Sequence, residues 1–268
     1  MRKLEAKPAT NLPLPGILTM SINLMPAAPP VDRRQSPTAF AIARGTARFL
    51  HALGYSVVSE LPLPSGRRAD LVALGGGGEI LIVEIKSSVA DLRADQKWSD
   101  YRLHCDRLFF ATVAEVPRAI FPGGTGLIVA DAFGASIVCD APEHKLAAAR
   151  RKTVMLRFAH AAALRLQALG DGICDAALLV RYELASRPEA LRYEAFIELQ
   201  QGKIDRALKA LEAAPPQGAV DIGHIALAAA LGYLDLRFEG AWRAGHPRLV
   251  AWLDAFAKNT PSFEATKA

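Results

Sequence analysis

Apolar and polar positions change period several times along this chain, and each change marks an element. Residues 1–35 are Pro-rich and show no sustained period, so disorder is predicted there. Phe40, Ala43, Ala47 and Leu50 then recur at helical spacing. Ser36 stands where an N-cap belongs, Pro37 occupies the first helical position, and Gly54 stands where a C-terminal glycine stop is expected. Residues 55–61 read as a strand closed by Pro62, Pro64 and Gly66. Residues 68–74 and 79–87 read as two further strands joined through Gly75 to Gly78, a hairpin. Ser87 or Ser88 caps a second helix expected to reach His104. Residues 108–113, 126–130 and 135–139 read as strands, the last two flanking a turn at 131–134, and a long helix is predicted over 142–169. From Gly170 onward no strand pattern occurs, and helical patterning is broken only at Pro188, Pro215-Pro216 and Pro247.

The chain therefore divides into a disordered segment (1–35), an α/β part (36–169) and an all-α part (170–268). Hydrophobic residues make up 51% of it, enough for packed cores. No apolar run approaches the ~20 residues of a membrane span. Glu5, Lys7 and Pro8 interrupt anything resembling a signal h-region. A cytoplasmic protein with no membrane role is expected. Cys105, Cys139 and Cys174 lack ligand spacing and are expected to be small buried hydrophobes. The net +5 is unevenly spread. Residues 1–168 hold 21 Lys and Arg against 14 Asp and Glu, a net +7, whereas residues 169–268 carry a net −2. Basicity confined to the first part suits either nucleic acid or a solvated basic surface.

The hairpin carries the candidate chemistry. Glu84 and Lys86 lie two apart on a strand and project from one face, with Val83 and Ile85 on the other. If the loop takes Gly76 to Gly78, Leu71 faces Val83, Ala73 faces Leu81, and Asp70 falls opposite Glu84. Arg68, Asp70, Glu84 and Lys86 then gather on one face, a sorting that a loop one residue shorter breaks. Carboxylates about 5 Å apart on neighbouring strands repel, unless a cation lies between them. Their hard oxygens favour Mg²⁺ or Mn²⁺. Such an ion polarises a phosphoryl oxygen and acidifies bound water, and Lys86 stabilises charge building on phosphorus. On pattern alone, a surface ion pair among these four residues remains the alternative.

The triplet lies between a leading and a following helix in an α-β-β-β-α-β order, which resembles the restriction-endonuclease-like PD-(D/E)xK superfamily. Gly66-Arg67-Arg68-Ala69-Asp70-Leu71, Val83-Glu84-Ile85-Lys86-Ser87, Asp95-Gln96-Lys97-Trp98-Ser99-Asp100-Tyr101 and His104-Cys105-Asp106-Arg107 resemble the MmcB-like family of bacterial DNA repair proteins. So does Arg150-Arg151-Lys152 leading into Leu156-Arg157-Phe158-Ala159. The resemblance implies a DNA repair role and a metal-dependent phosphodiesterase site. Asp70, Glu84 and Ile85 would hold the metal, and Asp70, Glu84 and Lys86 would serve catalysis. Gln96 is expected to share a sheet-facing helix side with Leu92, Ser99 and Leu103, within reach of the metal's water or a phosphate. Arg67, Arg68 and Lys97 are the nucleic-acid candidates. Lys97 belongs to a stripe with Tyr101 and His104 that either touches DNA or is an ordinary amphipathic rim. Many superfamily members carry an acidic residue on the first helix; residues 38–53 have none, and Glu60 is the nearest substitute.

From residue 168 onward the chain resembles the C-terminal helical domain of glutathione S-transferases, above all in Asp221-Ile222-Gly223-His224 and the apolar helix after it. In that family glutathione is held mainly by a thioredoxin-like domain, which the preceding residues do not resemble, so glutathione binding is not expected. His224 replaces the usual Asp of the helix cap, removing one reciprocal capping bond. The apolar face that meets the thioredoxin-like domain is expected to dock on the α/β part or to form a homodimer. The sequence thus supports a metal-dependent nuclease-like repair protein. It leaves open a non-catalytic DNA-binding or interaction module on the same fold, or a transferase relative lacking its glutathione domain.

Overall fold

The computed structural model describes residues 36–95 and 97–266; the disorder expected of residues 1–35 lies outside them. Helix α1 (Pro37–Ala52) begins as predicted, with the Ser36 hydroxyl accepting from the Ala39 amide and Pro37 in the first turn. Gly54, at φ 87°, follows its end. The buried side is Ile42, Gly45, Thr46 and Leu50, a rotation from the expected stripe that leaves Phe40 60% exposed. Gly45 explains the rotation. A Cβ there would lie 2.0 Å from the Asp131 carbonyl oxygen, so only a bare backbone fits against the 131–134 turn.

Six strands follow in spatial order of sequence: β1 (Ser56–Pro62), β2 (Arg68–Leu74), β3 (Ile80–Ile85), β4 (Arg107–Thr112), β5 (Gly126–Ala130) and β6 (Ala135–Cys139). The β3–β4 and β4–β5 pairs are parallel and the others antiparallel. Leu71 pairs with Val83 and Ala73 with Leu81, the predicted register. Gly75 and Glu79 close the loop, with Gly78 at φ 83°. Alternation sorts the two faces. Leu71, Ala73, Leu81, Val83 and Ile85 pack under α1, while Val72, Ile80 and Ile82 pack under Tyr101, Val154 and Phe158.

The helix expected from Ser88 to His104 is two pieces, α2 (Val89–Ala94) and a 3-10 helix (Trp98–His104). Asp95 breaks it. Its backbone leaves the helical region, and its carboxylate accepts from the Lys97 amide at 2.9 Å and pairs with the Lys86 ammonium at 2.7 Å. Leu92, Ser99 and Leu103 therefore do not share one buried side. Leu92 is buried, Ser99 and Leu103 are exposed, and Gln96 lies outside the described residues. Nor do Lys97, Tyr101 and His104 form a surface stripe, because Tyr101 and His104 are buried. Among the cysteines, Cys105 is buried as expected, Cys174 partly so, and Cys139 is exposed.

Helix α3 runs from Ala148 to Ser186, 39 residues, straight through the expected boundary at 169/170. At 1.5 Å per residue it spans about 58 Å. Its first part covers the sheet, and its later part carries α4 (Glu194–Ala213), α5 (Ile222–Phe238), α6 (Pro247–Asn259) and α7 (Pro261–Ala265). Ile173, Ala177, Leu208, Leu227, Leu231, Leu249 and Leu253 form that half's core. The backbones of α3 and α5 come close at Gly170 and Gly223, where added Cβ atoms would lie 2.8 Å from Ala226 and 2.6 Å from Ala163. Asp221 caps α5 through the His224 amide, and the His224 ring bonds the same carboxylate oxygen at 2.7 Å. Leu191, Ile222, Ile225 and Leu236 of this half are exposed. Among the described residues no helix is long and apolar enough to cross a membrane.

The Gly45 contact yields a matched pair of expectations. Gly45→Ala forces a backbone clash costing about 3 kcal/mol and lowers Tm by about 5–10 °C. Gly172→Ala, where a Cβ meets nothing within 4 Å inside α3, stabilises by about 0.5–1 kcal/mol. Equal Tm values for the two variants in thermal unfolding would remove the close-approach argument.

Candidate active site

The antiparallel ladder of β2 and β3 stops at Leu71 and Val83. One step further Asp70 and Glu84 face one another, and side chains take over from the backbone. A Glu84 carboxylate oxygen accepts from the Asp70 amide at 3.3 Å, and an Asp70 oxygen accepts from the Ile85 amide at 2.8 Å. On its other edge β2 also loses a rung. Ser59 pairs with Leu71 and Leu61 with Ala69, while Glu60 between them sits at φ 57°, an unusual conformation for a residue with a Cβ. The neighbouring β3–β4 pairing continues through Glu84 and Ile85. Asp70 therefore lies where the sheet has opened on both sides.

Glu84 and Lys86 are almost fully buried, at 3% and 6% exposed, while Asp70 and Asp95 are half-buried. Burial, then the Asp70 charge beside it, pushes the Glu84 carboxyl up to about 8. Burial also raises Asp70, helped by the charges of Glu60 and Asp91 and opposed by the Ile85 amide and Lys86. Lys86 Nζ lies 2.7 Å from Asp95 and 4.0 Å from Glu84. Burial works against its charge, but Asp95 and Glu84 outweigh burial and hold the ammonium above its ordinary value. Asp95 is held low despite its own partial burial by Lys86 and the Lys97 amide. The Lys86 backbone is fixed to β4, where the Thr112 hydroxyl donates to its carbonyl at 2.7 Å. The Tyr101 hydroxyl donates to the Arg68 carbonyl at 3.2 Å. Burial, then the charges of Glu84, Asp70 and Asp95, pushes that phenol far up, so it stays a neutral donor.

Asp70, Glu84 and Lys86 are thus brought together as the sequence implied. Ile85 lies between them with its side chain in the core under α1 and its amide on Asp70. Arg67 is paired with Asp100 at 3.1 Å and Arg68 with Glu60, while Lys97 is exposed. Sequence reasoning missed Asp95 and Tyr101 as members of the site. Asp95 was read as one more turn of a continuous helix, and Tyr101 as surface. Among the described residues, no group of three or more His, Cys, Asp or Glu is spaced to hold a metal ion.

Asp106, Arg107 and Arg151, from the other sequence motifs, serve as framework. Asp106, 3% exposed, accepts from the Ile80 and Leu146 amides and receives both terminal nitrogens of Arg151 at 2.7 and 2.6 Å. Arg107 reaches Glu79 at 3.0 Å and the Ala141 carbonyl at 2.6 Å. His144 and Arg102 contact one another.

Comparison with known proteins places each half. Residues 27–172 match the family model for DNA repair protein MmcB-like, and residues 194–255 match the glutathione S-transferase C-terminal domain. Among solved structures, a protein of unknown function from Silicibacter pomeroyi is 47% identical, covering 50% of this chain and 92% of its own, with a TM-score of 0.49. A glutathione transferase family member from Pseudomonas fluorescens Pf-5, with bound S-(propanoic acid)-glutathione, is 44% identical over 40% of this chain and 56% of its own, TM-score 0.38. A glutathione S-transferase from Methylobacterium radiotolerans, in complex with glutathione sulfonate, is 32% identical over 43% of this chain and 54% of its own, TM-score 0.37. The chain thus spans little more than half the length of these transferases. No curated protein matches it. With the MmcB-like match extending over more than half of its residues, the chain belongs to the MmcB-like family of DNA repair proteins.

Proposed function

We propose that this repair protein hydrolyses phosphodiester bonds in DNA at a PD-(D/E)xK-type site that uses Mg²⁺ or Mn²⁺. One observation carries the reading: Asp70 and Glu84 face each other where burial raises both carboxyls and the Asp70 charge raises Glu84 further. Such a pair is unfavourable as bare structure and favourable around a cation. Its oxygens suit a hard divalent ion, which Asp70, Glu84 and the backbone oxygen of Ile85 would hold. When bound, the ion supplies Lewis acidity toward a phosphoryl oxygen and a more acidic water.

The chain's own residues do the rest. Lys86, kept charged by Asp95, stands beside the carboxylates as a fixed cation for charge building on phosphorus. Tyr101 stays protonated and holds the Arg68 backbone, which leads into Asp70. The helical half, preceded here by the MmcB-like region, is read as a scaffold, with glutathione transfer outside the proposal. A second reading, a DNA-binding module without cleavage, draws on the same geometry. Both carboxylates are engaged with backbone amides and Lys86 with Asp95, so the set could serve purely as structure.

Cleavage of a labelled DNA duplex with Mn²⁺ or Mg²⁺ separates the two. Asp70→Ala and Glu84→Ala are expected to abolish cleavage, and Lys86→Ala to slow it by about 10²–10³-fold, with all three folded. Metal binding or DNA binding without any wild-type cleavage would establish the second reading.

The pair also sets a pH dependence. Glu84 is raised to about 8 in the fold from an ordinary value of 4.5. Its contribution to metal-free stability is complete below about 4.5 and is lost as pH rises through about 8. Metal-free Glu84→Gln lacks that loss and melts above wild type at pH 9. Because the metal must displace the Glu84 proton, Mn²⁺ affinity rises by about tenfold per pH unit below about 8 and then flattens. Calorimetry across this range reads both the slope and the proton released; an affinity flat from pH 6 to 8 would contradict the coupling.

A further inference from the structure

Arg67 and Arg68, the cations just before Asp70 in sequence, already have partners in Asp100 and Glu60. A stronger positive surface lies on α3 and the residues leading into it. Residues 144–170 hold six Lys and Arg and no Asp or Glu. Arg151 is paired with Asp106, and Arg165 donates to Ser59. The other four fall on two flanks of the start of α3. Arg150 and Arg157, seven residues and about 10 Å apart, share the flank beside the 3-10 helix. Lys145 and Lys152 line the opposite flank with Leu146, Met155 and Leu156.

Three observations distinguish the first flank. Arg157 reaches the Pro62 carbonyl, at the end of the strand beside β2. Burial and the charges of Arg150 and Arg157 hold the His104 imidazole below its ordinary value, so both guanidinium groups lie near the 3-10 helix that also carries Tyr101. Tyr101 in turn feels Glu84 and Asp70 and packs with Ile80 and Ile82, on the sheet face to which Glu84 points. The helix start itself runs against stability. Arg150 and Arg151 lie in the first turn of α3, which has no acidic residue and no side-chain cap, where the helix dipole disfavours cations. The helix end and its cations together suit a bound anion.

We infer that Arg150 and Arg157 bind backbone phosphates of duplex DNA and lead one strand toward Asp70 and Glu84. This rests on the DNA-acting reading above. A duplex fits better than a single strand, since the only aromatic residue in 144–170 is Phe158, which is buried and offers no surface on which bases could stack. Two guanidinium groups about 10 Å apart on a rigid helix suit phosphates flanking a groove about 12 Å wide.

The test compares two double variants of the full chain that remove equal charge: Arg150→Ala with Arg157→Ala, and Lys145→Ala with Lys152→Ala. Binding to a fluorescent duplex is measured by anisotropy in EDTA, so that no cleavage intervenes, at about 50 and about 200 mM salt. The wild type is expected to bind. The arginine variant should bind more weakly and lose about two units of salt slope, so that the same salt step weakens the wild type about tenfold more than it weakens the variant. The lysine variant should stay close to wild type. Arg157 also bonds Pro62, so Arg150→Ala alone, which breaks no hydrogen bond or ion pair among the described residues, should show about half the slope change. An unchanged arginine variant, or equal losses on both flanks, overturns the inference and leaves the DNA-acting reading standing. Preferential loss of single-strand binding overturns the duplex assignment. Absence of any wild-type binding overturns the DNA-acting reading itself.

Discussion

Asp106 is the carboxylate on which the arrangement of this molecule turns. It follows the 3-10 helix, is almost fully buried, and gathers donors from β3, from residue 146 and from Arg151 on α3. These bonds hold it in its charged form despite its burial. Breaking a buried pair of this kind by removing one partner costs about 3–5 kcal/mol. The position matters more than the magnitude. Asp106 fixes the start of a 39-residue helix against the sheet, and the whole helical half is carried on the far end of that helix.

With α3 and the 3-10 helix fixed on one face and α1 on the other, the opening between β2 and β3 becomes a sheltered site. Its energetics run opposite to those of Asp106. There a carboxylate is surrounded by donors and a guanidinium. Here two carboxylates share a mostly buried space with one ammonium, which Asp95 has already engaged. A fold that satisfies one buried acid so fully and leaves another pair in mutual repulsion is accepting a local cost. Such costs concentrate at functional sites. The surrounding core, from Leu71 and Val83 on one face to Val72 and Ile82 on the other, is what allows it.

Much of this could be read from the sequence because it depends on neighbours along the chain. The hairpin register followed from alternation and four glycines, and β2, β5 and β6 fell where the pattern placed them. The capping of α1 was equally local. What could not be read depended on distant partners. Asp95 ends α2 because Lys86, just past the end of β3, competes for its carboxylate. The buried side of α1 turns on Gly45 meeting a turn more than eighty residues away. Arg67 and Arg68 looked available until Asp100 and Glu60 came beside them. The sequence also placed the start of α3 six residues early, because residues 142–147 carry no turn signal, and Leu146 is instead tied to Asp106.

The continuity of α3 constrains the two halves together. Val154 and Phe158 face the sheet, whereas Ile173, Ala177 and Val180 face inward in the helical half. A single helix must satisfy both sets, and each residue inserted between them would rotate one set by about 100° relative to the other. The junction therefore has a fixed phase, closed by the backbone approaches at Gly170 and Gly223, where a side chain would not fit. Charge divides at the same place. The helix holds cations and no acids before Gly170, then Asp171, Asp175 and Glu183 against a single Arg181 before Ser186. Packing alone does not require that division, since most of these charges are exposed. A basic stretch confined to the part that crosses the carboxylate face is what an anionic partner of the sheet half would demand, and the acidic continuation would keep that partner from spreading along the rest of the helix.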